Sequence, residues 1–230
     1  MNSKVKLDVR VYPIEEPKGK TVAFANVGID DMVAISGIRV VNGEKGNFVT
    51  MPQTQDKNGE YHNVAAPVND DLRKEISKAV LAEYKAVCKE ETIGQFAADV
   101  KGERDGSIDV KVYPLKDPKS STMAFANITI DNLVVINGAR VVNGENGDFV
   151  AMPQSKDKED KYHDIAFPIN GDLRKEINKA VLAEYDNKIQ SRSVDKGNSF
   201  SDRLAEGAEK AAQYVKPATA VAKGAPGLGD

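Results

Sequence analysis

Two histidines and one cysteine are the residues of this sequence with the most versatile chemistry. His62 and His163 each follow a tyrosine and lie 101 positions apart, whereas Cys88 has Ile189 at the corresponding distance. A Cys–His nucleophilic pair could therefore form at most once, and no motif supports it. Two histidines alone do not make a zinc site. We predict a structural role for Cys88 and no metal site, and we expect both histidines on the surface or packed between a loop and a helix, with polar contact to a ligand as the alternative.

Two further motifs favour structure over catalysis. Residues 42–46 and 143–147 are rich in asparagine and glycine, but they lack the Gly-Lys-Ser/Thr ending of a phosphate-binding loop and precede a predicted strand. A hairpin turn explains them better. Asp30 and Asp31 become Asp131 and an asparagine in the second half, so only one half could use paired carboxylates in acid–base catalysis. We predict that the protein is not an enzyme and needs no cofactor.

Basic side chains are the remaining candidates, and they suggest contact with phosphate. The candidates are Lys57, Arg73 and Lys74 in the first half and Lys156, Lys158, Lys161, Arg174 and Lys175 in the second. A loop beside a helix N-terminus can contact phosphates through side chains and free backbone N–H groups. The alternative is a solvated charged loop, because Asp157, Glu159 and Asp160 alternate with the lysines of the second loop.

The chain that carries these residues contains one sequence twice. Residues 7–84 and 108–185 align without a gap, and 49 of the 78 aligned pairs are identical. A unit of about 80 residues is near the lower limit for a self-sufficient core, so pairing with the second copy would help it. We therefore expect the two repeats to pair in cis as an intramolecular pseudo-dimer, giving a monomeric chain, with a dimer as the alternative.

Each repeat is predicted to be an α+β unit, a twisted antiparallel sheet with a C-terminal helix packed on it. Alternating apolar residues predict strands in its first half, with a possible bulge or close-approach point at Gly37, and apolar residues at helical spacing predict a helix after Asn69. We place repeat 1 at residues 1–87, a linker at 88–105 and repeat 2 at 106–188. The linker should extend the first helix. Residues 189–230 should form a short helix, capped by Ser201, and a disordered tail.

Composition predicts the cellular location of the protein. The sequence has no run of 18 apolar residues, no apolar N-terminal segment typical of a signal peptide, and a single cysteine. These features predict a cytoplasmic protein that does not enter the membrane. The net charge is −3 and neither repeat is basic overall, so a phosphate-binding face would depend on local arrangement.

The motifs of both repeats together resemble one family. That family is stage V sporulation protein G (SpoVG). The similarity lies in residues 38–43, 46 and 48–52 of the first repeat, in the closer copy at 147–153, in residues 164–170, and in the helix ends at 79–84 and 180–185. The resemblance covers almost all of both repeats. It implies a homodimer-forming α+β domain, a role in septation and sporulation, and selective binding of DNA or RNA.

The resemblance also implies where nucleic acid would bind: in the loop after Met-Pro and at the helix start. Arg39, Arg140, Arg73 and Arg174 match family positions. The family's loop opens with Ser-Lys-Arg, where the two repeats have residues 53–55 and 154–156, and His62 and His163 replace a later arginine. Because the second loop keeps more lysines, we predict a non-enzymatic regulator of septation or sporulation that binds DNA or RNA mainly through repeat 2. A protein-interaction or scaffold module that has lost this activity is the alternative.

Overall fold

The computed structural model describes residues 2–101, 105–157 and 159–213, with side chains at residues 4–100, 105–157 and 159–192. The chain divides into two units, residues 1–188 and 189–230, and both repeats lie in the first. The elements of the first repeat are β1 (Asn2–Pro13), β2 (Thr21–Ile29), β3 (Val33–Gly43), β4 (Gly46–Thr50), β5 (Gln53–Gln55), β6 (Tyr61–Asn63), β7 (Ala65–Pro67) and α1 (Asp70–Val87).

The second repeat has the same order of elements after one additional strand, β8 (Gln95–Lys101). Its elements are β9 (Ile108–Pro114), β10 (Thr122–Ile130), β11 (Val134–Gly144), β12 (Gly147–Ala151), β13 (Gln154–Lys156), β14 (Tyr162–Asp164), β15 (Ala166–Pro168) and α2 (Gly171–Gln213). The predicted α+β fold, with two repeated sheets each followed by a helix, is confirmed.

An antiparallel meander forms the body of each repeat, as the alternating sequence predicts. β1 pairs with β2, β2 with β3 and β3 with β4, and the second repeat repeats this pattern. In β3, Gly37 has φ +74°, and the pairing with β2 shifts between Ala25 and Val27. A non-glycine residue would be strained there, so the predicted bulge at Gly37 is confirmed.

The hairpin turns predicted at residues 42–46 and 143–147 are confirmed, because Gly144 pairs with Gly147 just as Gly43 pairs with Gly46, and a third turn lies at Asp30 and Asp31. Gly43 pairs with Gly46, whose φ is +110°, and β3 continues into β4 around them. Asp30 and Asp31 have φ values of 50° and 54°, and the N–H of Met32 donates to the carbonyl oxygen of Ile29. Two consecutive residues with positive φ fit a type I′ turn, in which asparagine and aspartate are tolerated. The acidic pair therefore serves the chain reversal.

The two repeats exchange their last short strand. β15 of the second repeat pairs with β3, with Ala166 opposite Ile35, and β7 of the first pairs with β11, with Ala65 opposite Ile136. Flanking backbone bonds are also reciprocal, since Ser36 donates to Ile165 and the equivalent Asn137 donates to the first repeat. One hydrophobic core includes buried residues of both repeats. The predicted intramolecular pseudo-dimer is thus built by strand exchange.

The helices begin as predicted but continue differently. The side chain of Asn69 accepts a hydrogen bond from the N–H of Leu72 and caps α1, which packs on β1 and β8. The prediction that the linker extends this helix is wrong, because α1 ends at Val87, Cys88 caps it, and Gln95–Lys101 is a strand paired with β1. The separate short helix capped by Ser201 is also wrong, because α2 is continuous to Gln213. The predicted disordered tail lies outside the described residues.

Candidate functional site

The loop after Met-Pro is an exposed β-hairpin in each repeat. β5 pairs with β6 and β13 with β14, in equivalent registers. In the second hairpin Lys156 is opposite Tyr162, and Ser155 is opposite His163. All residues of β5 and β13 are exposed. The predicted polar loop is therefore a two-stranded projection that can meet a ligand from several sides.

An aspartate–histidine pair shapes the turn of each hairpin. In the second, Oδ1 of Asp157 accepts hydrogen bonds from the N–H groups of Glu159 and Lys161, and Nε2 of His163 lies 2.6 Å from Oδ2. The bond to His163, with the N–H of Lys161 next, lowers the pKa of Asp157. Because an ionised carboxylate only accepts hydrogen bonds, Nε2 of this histidine carries a proton. Of the two placements expected for His163, the structure shows the exposed one on the surface.

The first hairpin has the same network with one additional carboxylate. Oδ1 of Asp56 accepts from the N–H groups of Asn58 and Glu60, and Nε2 of His62 lies 3.0 Å from Oδ2. The bond to His62 is the main cause that lowers the pKa of Asp56. Donor atoms of Asp56, Glu60 and His62 lie within 4.8 Å of one another, as metal ligands can. Lys161 replaces Glu60 in the second hairpin, so the shared function of the pair is to hold the turn.

Two lysines of the second hairpin, Lys156 and Lys161, are paired with neighbouring carboxylates. Nζ of Lys156 is 2.8 Å from Asp160 and 5.4 Å from the centroid of the Tyr162 ring. Nζ of Lys161 is 2.7 Å from Glu159. Exposed ion pairs of this kind contribute about 0–1 kcal/mol, so a phosphate can displace the carboxylate at little cost. Lys158 lies outside the described residues.

The start of α2 lies beside the base of the second hairpin. Nη2 of Arg174 is 4.0 Å from Oδ2 of Asp164, and Asp164 also accepts a hydrogen bond from Gln154 in β13. The next residue, Lys175, is 3.0 Å from Asp172 within the helix. The hairpin and the helix start therefore form one surface, as the family resemblance implies.

The first repeat arranges the corresponding residues differently. Asn63 replaces Asp164, and Nε of Arg73 is 4.0 Å from Asp70 in its own helix. Lys57 and Lys74 are exposed. Arg140, the remaining candidate, lies on β11 of the second sheet instead of on a hairpin, opposite Phe125 of β10.

Sequence analysis did not identify the aromatic residues on the outer faces of the sheets. The alternation in β1 places Tyr12 at an outward position, and the ring is 52% exposed. Phe24 lies directly opposite it on β2. Tyr113 and Phe125 form the same pair in the second repeat. The signal that could have revealed them is an aromatic side chain at the polar phase of an alternating strand.

Comparison with known proteins decides the family. A sequence model of one protein family, described as SpoVG, matches residues 5–86 and 107–187, which are most of both repeats. This chain belongs to the SpoVG family. It carries two SpoVG domains in tandem, and the resemblance inferred from its motifs is confirmed.

Curated SpoVG relatives match one repeat at a time. "Putative septation protein SpoVG" of Caldanaerobacter subterraneus subsp. tengcongensis is 40% identical over 85 residues, 37% of this chain and 92% of the relative. The Myxococcus xanthus protein of the same description is 38% identical over 81 residues, 35% of this chain and 80% of the relative. "Putative septation protein SpoVG 2" of Listeria monocytogenes is 39% identical over 84 residues, 36% and 81%. These SpoVG proteins are thus about as long as one repeat.

Neither helix is long and apolar enough to cross a bilayer in the part of the chain that the structure describes.

Proposed function

We propose that this chain is a non-enzymatic regulator of septation or sporulation that acts in the cytoplasm and binds nucleic acid, mainly through its second repeat. The septation role is supported by its SpoVG relatives, which are described as putative septation proteins. The observation that carries nucleic-acid binding is the contact between Arg174 and Asp164, which joins the helix start to the hairpin. The basic side chains of this surface are Lys156, Lys161, His163, Arg174 and Lys175.

Replacing Lys156 and Lys161 together with glutamine should weaken binding and its dependence on salt. Each phosphate contact contributes about 0.7 to the slope of log affinity against log salt for single strands and about 0.9 for duplex DNA. We therefore expect the slope to fall by roughly 1.4–1.8. Titrating labelled single-stranded RNA and duplex DNA at several salt concentrations measures it.

Two lysines of the first repeat provide the matched control. The K57Q/K74Q double variant removes the same charge from the first hairpin and helix start, and its salt slope should remain close to that of the wild type. A wild-type protein that binds neither RNA nor DNA at low salt would rule out the proposal.

A protein-interaction module is the second candidate. It is favoured by the ion pairs that already satisfy Lys156 and Lys161 within their own hairpin. On this hypothesis a protein partner should co-purify in a manner insensitive to salt and dependent on the C-terminal segment. Such a partner, together with flat nucleic-acid titrations, would select this function over the first.

We also propose that the chain is a monomer. Its relatives have about the length of one repeat, and the strand exchange within this chain satisfies both repeats internally. Light scattering should give a mass near 24.9 kDa. A mass near twice that value would contradict the monomer and leave open pairing of each repeat with another chain, as in domain-swapped dimers.

A further inference from the structure

The outer face of the second sheet carries two aromatic rings and an arginine in one cross-strand row. Tyr113 is opposite Phe125, and Phe125 is opposite Arg140 on its other side. Directly opposite residues point to the same face, with their Cβ atoms about 4.5–5.5 Å apart. The Tyr113 and Phe125 rings are 53% and 43% exposed. Their inward neighbours Val112 and Ala126 are buried, so the row lies on the face opposite the core.

A cleft of about 650 Å³ adjoins this row and contains cationic groups of both repeats. Lys111, two residues before Tyr113 and therefore on the same face of β9, lines it together with Asp109. Arg73, at the start of α1, lines it from the first repeat. The strand exchange places this arginine beside the sheet of the other repeat. Lys111 therefore lies both in the cleft and on the face of β9 that carries Tyr113.

The first sheet has the same rings in a different electrostatic setting. Tyr12, Phe24 and Arg39 form the equivalent row. The equivalent cleft, of about 330 Å³, is lined by one cation, Arg10, and by the carboxylates of two aspartates. Arg10 is itself 3.6 Å from Asp8. The second cleft instead has two cations and one carboxylate, because asparagine replaces one of those aspartates.

We infer that the outer face of the second sheet binds single-stranded nucleic acid by stacking bases on Tyr113 and Phe125. This inference rests on the proposed function and identifies the class of nucleic acid that it concerns. Exposed rings offer a surface to any unpaired base, whereas the bases of a duplex are already stacked on one another. Lys111, Arg73 and Arg140 are placed to neutralise the phosphates between stacked bases. The cations beside the rings favour this occupant over an apolar protein segment.

A single tryptophan can report stacking directly, because the chain contains none. In the F125W variant the new ring replaces the phenyl ring in the row, and single-stranded RNA should quench its fluorescence as binding proceeds. The quenching curve and the fluorescence anisotropy of a labelled 12-nucleotide RNA should give the same Kd. In the matched F24W variant, RNA should bind equally well by anisotropy with little quenching.

Removing the rings should weaken binding without changing the number of phosphate contacts. Stacking one base on an aromatic side chain corresponds to roughly tenfold or more in affinity. The Y113L/F125L variant should therefore lose on the order of 100-fold in affinity for single-stranded RNA, with an unchanged salt slope. The Y12L/F24L variant should remain within about twofold of the wild type, and circular dichroism should show that both variants fold.

The outcomes of these experiments distinguish a failure of base stacking from a failure of the proposed nucleic-acid binding. Wild-type binding that depends on Lys156 and Lys161, with F125W unquenched and Y113L/F125L unaffected, would overturn stacking and leave the proposed function standing. Equal quenching of F24W and F125W would overturn the restriction to the second repeat. A wild type that binds no nucleic acid would overturn both.

Discussion

An aspartate in place of Ala166 is expected to unfold the first repeat, although Ala166 belongs to the second. Its side chain is completely buried, and the residue pairs with Ile35 in β3 of the other repeat. The residue belongs to the hydrophobic core that both repeats share. An uncompensated buried charge costs several kcal/mol, a large part of the roughly 5–15 kcal/mol that stabilises a domain. We expect a loss of about 4 kcal/mol or more in the free energy of unfolding.

The internal symmetry of the chain provides a replicate and a control. Ala65 occupies the equivalent place in β7 and is also completely buried, so A65D should have a similar effect through the second sheet. Ala97 is exposed on β8, and A97D should change the free energy of unfolding by no more than about 0.5 kcal/mol. Denaturant unfolding followed by circular dichroism measures all three.

Hydrogen exchange identifies which repeat is affected. If β15 completes the first sheet, A166D should accelerate the exchange of the β3 amides around Ile35 as well as those of its own strand. Wild-type protection of β3 in A166D would contradict the strand exchange. A wild-type chain that unfolds in two separate transitions would also contradict the single shared core.

Local pattern was sufficient to predict the meander and the first helix. Alternating apolar residues specified β1, and Asn69 with its following acidic residues specified the start of α1. Local sequence pattern did not predict the strand exchange, because β7 and β15 are only three residues long. Their pairing is specified by burial against residues of the other repeat, which are distant in sequence. β8, which the prediction also missed, could have been recognised from the sequence. Phe96, Ala98 and Val100 alternate with polar or small residues, which is a strand period placed inside a supposed helix extension.

The candidate site was also predictable only in part. The lysines and arginines could be named from composition and family motifs, but their ion-pair partners could not. Asp160 and Glu159 were expected to offset the loop charge, and the structure shows which lysine each one meets. The proximity of Arg73 to the second sheet depends on the strand exchange between the repeats, so it could not be predicted from the sequence of one repeat.

Glu83 shows how identical residues acquire different roles. It is buried, and its carboxylate accepts hydrogen bonds from the hydroxyl of Thr92 and from the N–H groups of Ile93 and Gly94. These three bonds fix the turn that leads into β8. Its counterpart Glu184 in α2 is partly exposed and lies 3.4 Å from Lys188. α2 continues to Gln213, so within the described residues Glu184 does not lie before a turn into a strand as Glu83 does.

Replacing Glu83 with alanine should lower the free energy of unfolding by roughly 2–4 kcal/mol, because it leaves three donors without their acceptor. E184A removes the same side chain from an exposed ion pair and should cost less than about 1 kcal/mol. Denaturant unfolding at neutral pH compares the two. Equal losses would show that the turn before β8 does not depend on this carboxylate.

Acidification should remove the advantage of Glu83 over its neutral analogue. Burial raises the pKa of Glu83, but the bonds from Thr92, Gly94 and Ile93 outweigh it, so the pKa in the folded protein lies below the ordinary 4.5. A group whose pKa is lowered by folding contributes stability above its unfolded value and loses it as the pH falls through the folded value. The difference in unfolding free energy between wild type and E83Q should therefore be constant at neutral pH and shrink below about pH 4.5. A difference that persists unchanged through that range would mean that the charge of Glu83 contributes nothing, and that shape alone holds the turn.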